Sequence, residues 1–227
     1  MLNSLLPMLL LAAVFRPVAM EDTGGASQAF AHYLASIDRA PARGPETIEI
    51  DASLPKLKKQ GTLRAIRRIN AAGEPEFQVL ETGGDRMVRQ QVIERYLTAQ
   101  ITAAEIPASS VAITPANYEF RYQGVVETGD TEAYAFQIKP RKKRAGLIAG
   151  ELWLDAETGL PVRQSGRLVK SPSFFVRSVG ITRETVLARG AARKLVTHLS
   201  VETRLVGPAD LTVTETPLEV IYANLVP

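Results

Sequence analysis

From residue 118 onward the chain alternates apolar and polar side chains in one short run after another, and that alternation limits the fold more than any other feature. Tyr118-Glu119-Phe120-Arg121-Tyr122 and Tyr134-Ala135-Phe136-Gln137-Ile138 place every second residue on one side. A period of two is that of a strand with one buried face. Further strand-like runs cover 147–154, 160–169, 174–187, 194–206 and 211–214, the last closing the sheet. They are separated by Asp155-Ala156-Glu157-Thr158-Gly159, Ser171-Pro172-Ser173 and Arg189-Gly190-Ala191. Gly159 suits the positive-φ position of a bulged hairpin. Upstream, 47–51, 63–69 and 77–80 read the same way, with a turn at Ala71-Ala72-Gly73-Glu74-Pro75. Short strands joined by tight turns make an antiparallel meander.

Only two segments have helical spacing. After a short flexible entry over 22–26, Ser27 caps a first helix to Ile37, with Phe30, Tyr33, Leu34 and Ile37 on one face. The two prolines and the glycine of 39–45 end it. A longer helix spans 85–105, between Gly83-Gly84 and Pro107. Gln91, Glu94, Arg95, Thr98, Thr102 and Glu105 form a narrow polar stripe on it; Val88, Val92, Ile93, Tyr96, Leu97, Ile101 and Ala104 fill a broad dry arc. Such a helix lies on a large apolar surface, here a sheet face. The fold class is therefore α+β, mainly β: a large antiparallel sheet, curled at this width, with two helices as a lid over its concave face. Two helices cannot cover so wide a sheet, and an apolar trough remains. Its candidate lining is Tyr118, Phe120, Tyr122, Tyr134 and Phe136 from the strands and Val92, Ile93 and Leu97 from the long helix. The aromatic residues either line that trough or pack a core beneath the long helix; alternation alone reports burial, not what is buried against it.

The compact apolar run 5–15, followed by Glu21-Asp22, has the size of a signal-peptide core; a spanning helix needs about 20 residues. The expected organisation is a cleaved leader at 1–20 and one β-rich domain over 21–227, exported to the periplasm or cell envelope and soluble once the leader is removed. With no cysteine in the chain, disulfides, thiolate chemistry and cysteine metal sites are excluded. A net charge of +3 spread among acidic residues gives no concentrated basic face for nucleic acid. His32 and His198 stand alone in the sequence, with no metal-ligand spacing. Glu151 and Asp155 flank Trp153 on one strand face, but four strand residues span about 13 Å, too far for a glycosidase pair at roughly 5–9.5 Å. These residues point to no catalytic site, no metal and no cofactor. Lys139-Pro140-Arg141-Lys142-Lys143-Arg144 forms a basic hairpin tip. It serves either as a solvated, edge-protecting loop or, through Arg141, Lys142, Lys143 and Arg144, as a contact for anionic head groups at a membrane surface.

Three phrases carry a family resemblance: 134–140 ending in Lys139-Pro140, 150–155 with Trp153-Leu154-Asp155, and 158–163 with Thr158-Gly159-Leu160-Pro161 and Arg163. In that order they resemble the middle of the outer-membrane lipoprotein-sorting family, the periplasmic lipoprotein carriers, whose fold the domains of envelope-stress regulators share. The resemblance implies an unclosed half-barrel with a helical lid over an apolar cavity. It implies non-catalytic binding of a lipid or of the acyl chains of a lipoprotein in outer-membrane biogenesis or, alternatively, a protein-interaction or stress-sensing module on the same fold. It also implies a gating arginine early in the sheet, for which Arg64, Arg67 and Arg68 are all candidates.

Overall fold

A computed structural model describes residues 23–38, 44–128, 131–188, 192–204 and 207–218. The expected leader at 1–20 and the turn at 189–191 lie outside them. Each of the ten alternating runs forms a strand: β1 (Glu46–Leu54), β2 (Lys59–Ile69), β3 (Pro75–Gly84), β4 (Tyr118–Thr128), β5 (Thr131–Pro140), β6 (Ile148–Asp155), β7 (Pro161–Leu168), β8 (Val176–Ala188), β9 (Ala192–Thr203) and β10 (Pro208–Pro217). All ten belong to one sheet in the order β3-β2-β1-β10-β9-β8-β7-β6-β5-β4. Two meanders, β1 to β3 and β4 to β10, are joined where β10 pairs antiparallel with β1, from Glu46 opposite Pro217 to Ser53 opposite Asp210. The last strand therefore does not close an edge, as its place in the sequence suggests; it lies in the interior. The edges are β3 and β4, and they do not pair, so the sheet stays open.

Directly paired residues of an antiparallel sheet share a face. The register carries one row across it: Tyr122, Phe136, Leu152, Gln164, Arg183, Thr197, Val213, Ile50 and Leu63. Both helical covers lie over this face, which is the concave one. At the β4–β6 wing, α1 (Thr23–Asp38) brings Ala26, Ala29 and Tyr33 onto Tyr118, Tyr134, Phe136, Ile138, Leu152 and Leu154, all buried. The helix begins by Thr23, so residues 23–26, expected as a flexible entry, are helical. Ala26 is buried, and that burial outweighs the poor helix propensity of Gly24 and Gly25. The turn after β6 seats α1: Asp155 Oδ1 accepts hydrogen bonds from Thr158 N at 2.8 Å and Thr158 Oγ1 at 2.6 Å. Gly159 has φ +68°, and a Cβ there would meet the Ala29 carbonyl oxygen at 2.5 Å. The Thr-Gly phrase of the sequence is thus the socket for this helix.

At the other wing three consecutive segments form a lid helix: α2 (Arg86–Val88), a π turn (Arg89–Ile93) and α3 (Glu94–Ala104). Asp85 caps it, accepting from Met87 N at 2.8 Å and pairing with Lys59 at 3.0 Å. Val88, Val92 and Ile93 are buried against Ile48, Ile50, Ala52, Leu54, Leu63, Ala65, Leu211 and Val213. The dry arc does not stay dry to its end. Tyr96 and Leu97 are half-buried, while Ile101 and Ala104 are exposed. The π turn adds a residue to one turn and rotates the face beyond it, and the helix packs mainly on β1, β2 and β3, reaching β10 at Leu211 and Val213. A short α4 (Ala108–Val111) leads into β4.

Candidate binding trough

The sheet thus has two separate cores on one face. The aromatic set predicted as trough lining falls in the first. Phe30 of α1 lies 4.7 Å from Phe120 and 5.5 Å from Phe136, ring to ring, and Tyr122 lies 5.6 Å from Phe136. Tyr118 is buried, and its hydroxyl accepts from Ile148 N at 3.2 Å. These five aromatics pack beneath α1, not beneath the long helix. Val92, Ile93 and Leu97 belong to the second core. The structure does not bring the two groups of candidates together.

Between them the concave face changes character. One row runs Phe120, Ile138, Gly150, Gly166, Ile181, Leu199, Leu211 and Ala52. Its centre is a bare glycine pair followed by the paired Ile181 and Leu199, both half-buried. Ile181 borders the first core, and Leu199 with Val201 borders the second. This apolar lane is where the two cores meet. The neighbouring row is polar at the same place, with Gln164, Arg183 and Thr197.

Beside that polar centre is a buried charge cluster that alternation did not reveal. Arg67 of β2 donates from Nη1 to Glu215 Oε1 of β10 at 2.8 Å and from Nη2 to Glu46 Oε2 of β1. The three side chains are 9%, 10% and 15% exposed. Burial pulls the Arg67 guanidinium down, but Glu215 and Glu46 outweigh it and hold the charge above its ordinary range. Of the three arginines considered for a gate, only Arg67 faces the concave side; Arg64 and Arg68 are on the outer face, hydrogen-bonded to Glu81 and Gln78. Tyr96 of the lid helix stands over the cluster. Its phenol is pushed up to about 12, first by burial and then by Glu215, with Arg183 and Arg67 pulling the other way.

That shift has a consequence at high pH. An unfolded tyrosine ionises near 10, whereas folded Tyr96 stays neutral to about 12. The stability it lends is complete below pH 10 and is lost as pH rises toward 12, roughly 2–3 kcal/mol over the window. Urea melts between about pH 9 and 11.5 are expected to fall more steeply for the wild type than for Tyr96→Phe; parallel slopes would contradict the burial of this phenol.

The other candidates lie apart. His32 is exposed on α1, over the concave side, and His198 is on the outer face, its Nδ1 3.0 Å from Thr212 Oγ1 in a shallow depression with Thr182 and Ser200. Glu151, Trp153 and Asp155 are on the outer face as well; Trp153 donates to Glu151 at 3.2 Å and is covered by the Arg163 guanidinium at 4.8 Å. The basic tip is a hairpin connection. Arg141 donates to the Pro115 carbonyl at 2.9 Å and Arg144 to Asn117 Oδ1 at 2.8 Å, while Lys142 and Lys143 are exposed.

The sheet is an open half-barrel whose helices cover only part of its concave face. No family model matches the chain, and no curated protein matches it. Among solved structures, the crystal structure of a LolA superfamily protein from Nitrosomonas europaea is similar, with a TM-score of 0.38 and 12% identity over 84% of this chain and 91% of that one. A likeness at this level says nothing of what this chain binds. No helix among the described residues is long and apolar enough to cross a membrane.

Proposed function

We propose that this chain is a non-catalytic binding protein of the cell envelope that takes an acyl chain of a lipid or lipoprotein along its concave face. The observation that carries the reading is the apolar lane between the two cores: Gly150 and Gly166 leave bare backbone as its floor, Ile181 and Leu199 continue it, and α1 and the lid helix contact the sheet on either side. An alkyl chain laid there gains about 0.8 kcal/mol per CH₂ removed from water. The lid helix, anchored by Val88 and Ile93 but exposed at Ile101, is the element that opens; Arg67, Glu46, Glu215 and Tyr96 hold its middle to the sheet. In this reading the leader at 1–20 is removed on export and 21–227 acts as one unit.

Native mass spectrometry of protein purified from its own envelope, with lipid extraction, tests the reading, together with uptake of a fluorescent fatty acid. Leu199→Asp puts a charge in the lane and is expected to cut uptake at least about tenfold; because Leu199 also packs on the second core, uptake is measured well below the variant's own melting temperature. Consistently empty protein and no uptake by the wild type would overturn the reading. A single stoichiometric protein partner recovered by crosslinking, without lipid, would favour the interaction-module alternative.

A further inference from the structure

In an antiparallel meander every second connection falls at the same end of the sheet. Segments 55–58, 141–147 and 169–175, together with Arg204 and Gly207, therefore share one end. Together they hold eight Lys or Arg and no Asp or Glu. The described connections at the opposite end, 70–74 and 156–160, hold Glu74 and Glu157 and no Lys or Arg; at the basic end Asp85, directly after β3, is paired with Lys59.

The basic end also carries the two most exposed large apolar side chains among the described residues. Phe174 is 76% and Phe175 is 52% exposed, on the connection between β7 and β8. Their rings meet edge to face at 5.8 Å, and the Arg204 guanidinium lies 4.8 Å from the Phe174 ring. Arg204 N donates to the Phe175 carbonyl at 2.9 Å, which ties this loop to the one before β10. Further round, Arg141 and Arg144 are fastened to the segment before β4, and Lys142 and Lys143 make no ion pair among the described residues. Folding hides aromatic rings unless something else covers them. Two adjacent rings at a loop tip, surrounded by cations with no acidic residue in the same loops, match an anionic lipid surface: rings enter the acyl boundary and cations face phosphates. The row of Val179 and Val201, next along the concave face from the apolar lane, comes out at this same end.

We propose that this end of the sheet docks on an anionic phospholipid bilayer, with Phe174 and Phe175 as the inserted anchor and the neighbouring loops, Lys142 and Lys143 foremost, as the electrostatic contact. The proposal stands apart from the reading of the trough. Sedimentation of the full chain with vesicles of phosphatidylcholine, with and without phosphatidylglycerol, tests it. Binding is expected only to the vesicles containing phosphatidylglycerol, falling as salt is raised. Lys142→Gln with Lys143→Gln is expected to weaken it by roughly tenfold or more, and Phe174→Ser with Phe175→Ser at least as much. Both pairs are exposed, so melting curves of these variants should match the wild type. Leu199→Asp, which addresses the trough, should leave vesicle binding intact. No sedimentation with anionic vesicles, equal binding to neutral ones, or unchanged binding by both double variants would overturn the proposal. So would a protein partner that takes up this end while vesicles do not bind.

Discussion

Replacing Arg67 by methionine is expected to lower the stability of the fold by about 3–5 kcal/mol. Glu46, Arg67 and Glu215 come from three adjacent strands, β1, β2 and β10, at the seam that joins the two meanders. Each has given up most of its water. Removing the cation takes from two carboxylates, at 15% and 10% exposure, the guanidinium that pairs with both. The loss comes from stranding the carboxylates and says little about the net worth of the ion triad. Arg67→Met combined with Glu46→Gln and Glu215→Gln should therefore recover most of the loss, because a buried ionic group replaced as a whole by neutral residues is often close to neutral. Chemical denaturation of the single and triple variants decides the point. A single variant as stable as the wild type would mean that the triad is solvated in solution. The single variant should also loosen the lid, since Tyr96 of that helix rests on the triad; faster fatty-acid exchange at unchanged temperature would show it.

Gly150→Val is expected to be as damaging for a different reason. Gly150 pairs with Gly166 across β6 and β7, and neither has room for a side chain. A Cβ on Gly150 would stand 2.0 Å from the Ser165 carbonyl oxygen and 2.5 Å from the Gly166 Cα; one on Gly166 would stand 2.4 Å from the Ala149 carbonyl oxygen. These are backbone atoms of the paired strand, so no rotamer change relieves the clash, and the β6–β7 ladder must part. Overpacking at flexible sites costs about 1–3 kcal/mol, and this site should reach the top of that range or exceed it. Parting these strands would also disrupt the floor of the proposed lane. Circular dichroism melts and fatty-acid uptake should both collapse for Gly150→Val, whereas Val186→Thr, at an exposed strand position, should leave both alone. A well-folded Gly150→Val protein would mean that the two strands approach less closely than the structure has them.

Much of the architecture was legible in the chain because it is local. Alternation along Tyr118 to Tyr122 and Tyr134 to Ile138 identifies strands, and the Asp155 to Gly159 turn fixes an antiparallel neighbour, since both signals act within a few residues. The seven consecutive strands β4 to β10 follow from repeating that step. The basic connection at 141–144 was equally plain, because charge at a hairpin tip needs no tertiary partner.

What the tertiary structure alone decided depends on contacts far apart in sequence. The pairing of β10 with β1 brings residues 210–217 to 46–53, and neither segment carries a mark of the other: any alternating edge can accept any other, and the choice is made by which closure buries the most apolar surface. The same closure buries Arg67 and not Arg64 or Arg68, because its ion partner Glu215 lies 148 residues away and arrives only with β10. It also seats the aromatic strands under α1 and leaves the lid helix to the other wing, and the π turn at Arg89–Ile93 rotates the helix face at a point that a regular period cannot mark. Sequence periodicity determined which side chains turn inward; long-range closure determined what they meet there, because burial and charge pairing are properties of the assembled face and not of any one strand.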